Sequence, residues 1–232
     1  MIIMKRFVGV TLAVLLCASA SAQPVKHIHE GRFYAGLQAG PVLNIYENYF
    51  SYSENGKAMG LFTYQAGFVG GYDVNDIFGL RLSAAYARNA AACNTKNTSA
   101  HGFYPYTFNS VNVFADAILD LYGLSDLATF LRIKLYGGLG IGHSFNMSDS
   151  NHPWQKVSDP NTVFGFRFGG IVEYNFNDHI GIFGDLCGEA YTDKYNGLMP
   201  SAEEQSDNYE GYGGFPLDLR GLISFGLLYR FK

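Results

Sequence analysis

Charged side chains are sparse in this chain, and many of them stand singly between apolar or small neighbours. Arg32, Asp73, Arg81, Asp116, Asp120, Arg132, Lys134, Arg167, Glu173, Asp185, Glu189, Asp218, Arg220 and Arg230 all recur in this way. Both signs are well represented, which fits them for ion pairing in a crowded, water-poor interior. Each such charge must find a partner, because leaving one buried and unpaired costs about 3–5 kcal/mol. A catalytic reading draws on His143, Ser144 and Glu189, a histidine, a hydroxyl and a carboxylate of the kind a hydrolase would use. In an extended strand, however, neighbouring residues point to opposite faces. His143 and Ser144 therefore do not share a nucleophile–base geometry, and no catalytic site is expected. His27 and His29 stand two apart while His101, His152 and His179 are scattered, so no metal-ligand spacing emerges and no cofactor is expected. The acidic run through Asp193, Glu203, Glu204, Asp207 and Glu210 reads as a solvated loop. The aromatics Tyr46, Tyr49, Phe50, Tyr52, Trp154 and Tyr195 fit either a recognition surface or packing at a rim.

The elements that must position these charges have a period of two. From residue 31 onward the chain sorts into eight segments, 31–44, 60–74, 78–88, 104–121, 130–145, 162–176, 180–191 and 215–231. Each is long enough, when tilted, to cross a bilayer as a strand. In the sixth, Phe164, Phe166, Phe168, Gly170, Val172, Tyr174 and Phe176 alternate with Val163, Gly165, Arg167, Gly169, Ile171, Glu173 and Asn175. The last sets Leu217, Leu219, Ile223, Phe225, Leu227, Tyr229 and Phe231 against Asp218, Arg220, Ser224 and Arg230. Alternation alone does not say which face is inside, since a soluble ligand-binding barrel has the same period with apolar side chains inward. Composition decides it. Charged residues make up 16% of the chain, against about 25% in ordinary globular domains, too little to cover a water-facing surface. Tyr64, Tyr72, Tyr86, Tyr174, Phe176, Tyr229 and Phe231 gather near segment ends on the apolar face, as in the aromatic girdles of membrane barrels.

The fold class expected is therefore all-β, an eight-stranded antiparallel up-and-down transmembrane β-barrel. It must close, because an open sheet edge in hydrocarbon leaves backbone groups unpaired. Short turns at 75–77 and 177–179, and a longer one at 122–129, alternate with long polar loops at 45–59, 89–103, 146–161 and 192–214. Short turns belong on the periplasmic side and long loops outside. Pro41 and Pro216, which lack a ladder donor, are expected near loop ends.

Lys5 and Arg6 precede an apolar run from Phe7 to Leu16 and then Ala20, Ser21 and Ala22. This is the pattern of a signal peptide over 1–22, cleaved after Ala22, leaving 23–232 as the barrel domain. Cys93 reads as a loop residue and Cys187 as a strand residue, and no disulfide between them is expected. The formal charge of −4 becomes more negative once Lys5 and Arg6 are lost, which argues against nucleic acid as a partner.

Three stretches carry a family resemblance: 111–145, 164–197 and the ending GLISFGLLYRF. They resemble the barrel domain of Bacteroidetes OmpA-like outer-membrane proteins, in which a D-x-L-x-L strand leads through a turn into a strand ending G-x-G. Asp116 to Leu121, which reads D-A-I-L-D-L, approximates the first part of that pattern, and Gly138 to Gly142 matches the second. The resemblance implies a cell outer membrane location, contact with outer-membrane lipid and lipopolysaccharide, and insertion by the barrel-assembly machinery. Tyr229 and Phe231 resemble the terminal aromatic signal that this machinery reads, although Lys232 follows them. It carries no catalytic motif. Full-length relatives often continue into a peptidoglycan-binding domain; with the sequence ending at Lys232, a cell-wall tether is not expected. The function expected is structural or surface interaction, through envelope integrity or adhesion by the outer loops to host or environmental ligands. A small pore or solute channel is the first alternative, and a rim-located lipid A modifying enzyme the second.

Overall fold

A computed structural model describes residues 31–45, 63–95, 102–121, 131–146, 160–192, 195 and 217–231. These residues form eight strands: β1 (Arg32–Ile45), β2 (Tyr64–Asp73), β3 (Phe78–Thr95), β4 (Gly102–Asp120), β5 (Leu131–Phe145), β6 (Asn161–Asn175), β7 (Ile180–Thr192) and β8 (Leu217–Arg230). Each pairs antiparallel with the next, and β8 pairs antiparallel with β1, so the sheet is a closed up-and-down barrel. Closure leaves no strand edge to satisfy.

Both short turns are built by the same device. Asn75 Oδ1 accepts hydrogen bonds from the backbone N–H groups of Ile77 and Phe78, at 2.9 and 2.7 Å. Asn177 Oδ1 accepts from those of His179 and Ile180, both at 2.8 Å. An asparagine that satisfies the turn's own donors fixes the reversal locally and sets the register of the strands it joins.

Alternation sorts the side chains as their polarity requires. Phe33, Phe68, Leu82, Phe168, Leu186 and Phe225 are among the large apolar residues exposed on the outside, where hydrocarbon covers them. The outward run on β3 from Phe78 to Tyr86 carries no charged side chain and stops at Arg88. Tyr174 is the exception within the expected aromatic girdle. It is only 5% exposed and packs edge-on against Phe176, with ring centroids 5.1 Å apart. Phe168 is 66% exposed midway along β6, so Phe168→Arg is expected to cost about 2–4 kcal/mol of folding free energy in lipid. Urea titration of folding into phosphatidylcholine vesicles measures this, and an unchanged midpoint would mean that this face does not meet hydrocarbon.

Two expectations need correction. The outer loop placed at 89–103 is mostly strand: β3 continues to Thr95 and β4 begins at Gly102, paired from Arg88↔Asn109 up to Thr95↔Gly102. Cys93 accordingly lies in β3, opposite Tyr104, and not in a loop. Pro41 sits inside β1 and not at a loop end; the β1–β8 pairing passes from Ala39↔Phe225 to Val42↔Leu222 without engaging it. Pro216 lies outside the described residues.

Candidate functional site

The site is the lumen. Of the charges singled out above, Asp73, Arg81, Asp116, Asp120, Arg132, Lys134, Arg167, Glu173, Asp185, Glu189, Asp218, Arg220 and Arg230 are all buried inside it. Arg32, at the periplasmic end of β1, is half-buried. The described ion pairs fall into two layers.

The lower layer lies at the periplasmic end. Arg132 pairs with Asp120 and, at 3.9 Å, with Asp73. Lys134 lies 3.5 Å from Asp73 and 3.1 Å from Glu173. Arg230 pairs with Glu173, reaches Asp73 at 3.9 Å, and donates to Asn175 Oδ1 at 2.5 Å. Cations and anions balance in this layer, which lets buried charges persist in a low-dielectric interior.

The upper layer is organised by a single row of ladder positions. Arg81 stands opposite Asp116, Asp116 opposite Gly138, Gly138 opposite Arg167, Arg167 opposite Glu189, and Glu189 opposite Arg220. Charge alternates along this row, and glycine fills the one neutral place. A Cβ at Gly138 would fall on the Asp116 carboxylate, so the missing side chain lets Asp116 reach across β5 to Arg167. Arg81 Nε donates to Asp116 Oδ2 at 2.7 Å. Arg167 donates to both carboxylate oxygens, Nε to Oδ1 at 2.7 Å and Nη2 to Oδ2 at 2.6 Å. This is the two-pronged geometry that makes arginine–carboxylate bonds strong. Arg81 also reaches Asp185 at 3.1 Å, and Tyr136 donates to the same carboxylate at 2.7 Å. The guanidinium of Arg81 lies 3.9 Å over the Tyr136 ring, and that of Arg167 lies 4.5 Å over Phe114. Arg167 approaches Glu189 at 3.7 Å, and Arg220 approaches it at 3.2 Å.

Between the layers the lumen is apolar. Tyr34, Val69, Ile118, Ile171, Phe183 and Leu228 form part of one buried cluster. The void they share with Arg81, Lys134 and Glu173 measures about 10 Å³, room for no more than one water. The reading of the inward face as polar misses this belt.

The outer mouth is filled by a pair of rings. Tyr191, on β7, donates to Glu189 at 2.7 Å. Tyr195, just beyond β7, stacks on it with ring centroids 4.0 Å apart and planes 5° from parallel. Tyr195 is fully buried. Its hydroxyl lies 2.7 Å from Ser110 Oγ and 2.9 Å from Asn112 Oδ1 and accepts from Arg220. Burial raises its phenol above the ordinary value, against the opposing pull of Arg220, so it stays neutral and able to donate. Of the two readings open for this aromatic, recognition surface or packing, the structure selects packing. Tyr46, Tyr49, Phe50, Tyr52 and Trp154 lie outside the described residues, as do His27, His29 and the acidic loop.

The hydrolase candidates are not brought together. His143 is exposed on the outer face and shares a hydrogen bond with Thr162 at 2.8 Å, whereas Ser144 is buried in the lumen. Glu189 is engaged by Arg220, Tyr191 and Arg167. Tyr229 and Phe231 are both partly exposed at the periplasmic rim, edge to face with centroids 5.2 Å apart. Phe231 N–H donates to the Phe33 carbonyl at 2.9 Å, which extends the last strand onto the first.

A family model described as outer membrane protein beta-barrel domain matches residues 10–231. No curated protein matches the chain. Among solved structures, Neisserial surface protein A is 17% identical, with 86% of this chain and 97% of that chain covered and a TM-score of 0.50. A major outer membrane protein from Thermus thermophilus is 14% identical, with 88% and 100% covered and a TM-score of 0.50. At these identities the similarity concerns the fold alone.

Proposed function

The chain belongs to the outer membrane protein β-barrel domain family, and from that premise we propose that it is a sealed barrel with a structural or surface-interaction role. It is an outer-membrane protein. The strands hold it in the bilayer, and the connections at the outer end meet the environment, serving envelope integrity or adhesion. The observation that carries this reading is the lumen itself, in which charges are paired in two layers, an apolar belt separates them, and the void lined by the belt residues is about 10 Å³. A solute needs a continuous wet path, and an eight-stranded barrel is about narrow enough for its own side chains to fill. On the residues quoted above we place the chain with the Bacteroidetes OmpA-like barrels, with a signal peptide removed after Ala22.

The partners proposed are outer-membrane lipid and lipopolysaccharide around the apolar band, the barrel-assembly machinery at Tyr229 and Phe231, and host or environmental ligands at the outer loops. Cells lacking the protein, compared with cells carrying loop-shortened versions, test the role. Leakage repaired by the shortened barrel supports envelope integrity; surface binding lost with the loops supports adhesion. Planar bilayers holding the purified protein are expected to stay closed, and steady unitary currents would overturn the sealed reading in favour of a pore. Release of acyl chains from lipid A, abolished by His143→Ala, would overturn it in favour of an enzyme.

A further inference from the structure

The geometry points to a preformed seat for a hydroxyl-bearing aromatic ring at the outer mouth, in which Tyr195 is a removable stopper. The seat is made by strand residues alone. Tyr191 supplies the stacking face, and Phe108 meets the Tyr195 ring edge-on at 5.7 Å. Glycines clear the space: a Cβ at Gly142 would lie 2.7 Å from both Tyr191 and Tyr195, and one at Gly165 would lie 2.8 Å from Tyr191. A ring fits there because β5 and β6 withhold side chains at those two places.

Tyr195 is removable because the seat's polar groups also hold one another in place without it. Ser110 Oγ keeps the amides of Asn89 and Asn112, at 3.0 and 3.1 Å. Arg220 keeps Glu189 at 3.2 Å, Asn89 at 3.2 Å and Gln65 at 3.5 Å. Withdrawing the phenol leaves no charge without a counterion but frees the Ser110 hydroxyl hydrogen, Asn112 Oδ1 and one Arg220 Nη1 contact, the groups that a ligand hydroxyl would take up again. The exposed seat would hold an aromatic face, a hydroxyl, carboxamides and a guanidinium. Beside it the Asn44 carboxamide, buried across the ladder from Arg220, has neither of its polar atoms hydrogen-bonded. That unmet capacity suits a ligand hydroxyl. Beneath the seat the proposal rests on the sealed-lumen reading, since the Arg81–Asp116–Arg167 layer and the apolar belt keep the barrel shut.

Ser144 is fully buried at the mouth, and its position opposite Ser110 makes it a reporter. In a chain carrying Ser144→Cys, with Cys93→Ser and Cys187→Ala, a charged, membrane-impermeant thiol reagent is added to intact cells. Adding Tyr195→Ala is expected to speed labelling at least about tenfold, because labelling follows the population of the open state. Adding p-cresol, the tyrosine side chain as a free molecule, restores slow labelling, and toluene, which lacks the hydroxyl, does not. Tyr195→Phe, which keeps the stack, labels at an intermediate rate and serves if the alanine variant fails to fold. Equal labelling with and without Tyr195, or no protection by p-cresol, would overturn the stopper. Currents through the Tyr195→Ala barrel in planar bilayers would overturn the sealed-lumen reading instead, leaving the stopper standing.

Discussion

Replacing Asp116 by alanine is expected to destabilise the barrel by about 3–5 kcal/mol, the cost of leaving buried charges without their counterion. Asp116 is the shared acceptor of Arg81 and Arg167, through three hydrogen bonds of 2.6 to 2.7 Å. Without it Arg167 retains the Ser83 hydroxyl at 2.6 Å and Glu189 at 3.7 Å, and Arg81 retains Asp185 at 3.1 Å. Two guanidiniums are then left facing a gap that water cannot easily reach. Arg167→Ala removes one cation but leaves Asp116 paired to Arg81, so it is expected to cost less. Asp116→Asn, which keeps shape and one acceptor, falls below the alanine variant. The ranking is read from urea midpoints in lipid vesicles and from the temperature at which the compact form on a gel converts to the slower unfolded form. Wild-type behaviour of Asp116→Ala would mean that the upper layer does not stabilise the barrel.

The sequence and the structure agree where one physical rule acts alone. A strand that separates hydrocarbon from a crowded interior must alternate, so the strand count, the outward face and the buried charges are legible directly from residues such as Phe164 to Asn175. Where two rules compete, the sequence says less. Ala90, Ala91 and Ala92 give no contrast between faces, so the extension of β3 shows only in its pairing with β4. Val69, Ile118, Ile171, Phe183 and Leu228 all sit on the inward face by parity. They escape notice when that face is characterised by its charges, and a belt becomes visible only when strands are set in register. Gly138 looks like any of the 28 glycines until its place between Asp116 and Arg167 is known. Tyr195 lies beyond the end of a strand, where no periodicity marks it, and its burial is a matter of tertiary contact alone.

The belt has an energetic consequence, because it separates two charge layers that would otherwise form one network. Glu173 is fully buried and holds Lys134 at 3.1 Å and Arg230. Its removal leaves Asp73 as the remaining described carboxylate near both, at 3.5 and 3.9 Å, with Asn175 Oδ1 still accepting from Arg230. Glu173→Ala is therefore also expected to cost about 3–5 kcal/mol, by the same loss of a buried counterion. Along β6, Glu173 lies six residues from Arg167, about 20 Å at roughly 3.3 Å per residue, with Ile171 between them on the inward face. At that distance, with no shared partner, the effects of Asp116→Ala and Glu173→Ala should add to within about 0.5 kcal/mol. Asp116→Ala and Arg167→Ala touch one another and should instead show a coupling of about 0.5–3 kcal/mol. A double-mutant cycle on unfolding free energies measures both. Strong coupling between Asp116 and Glu173 would mean that the two layers communicate through the belt, and that the lumen behaves as one electrostatic unit from the periplasmic rim to the outer mouth.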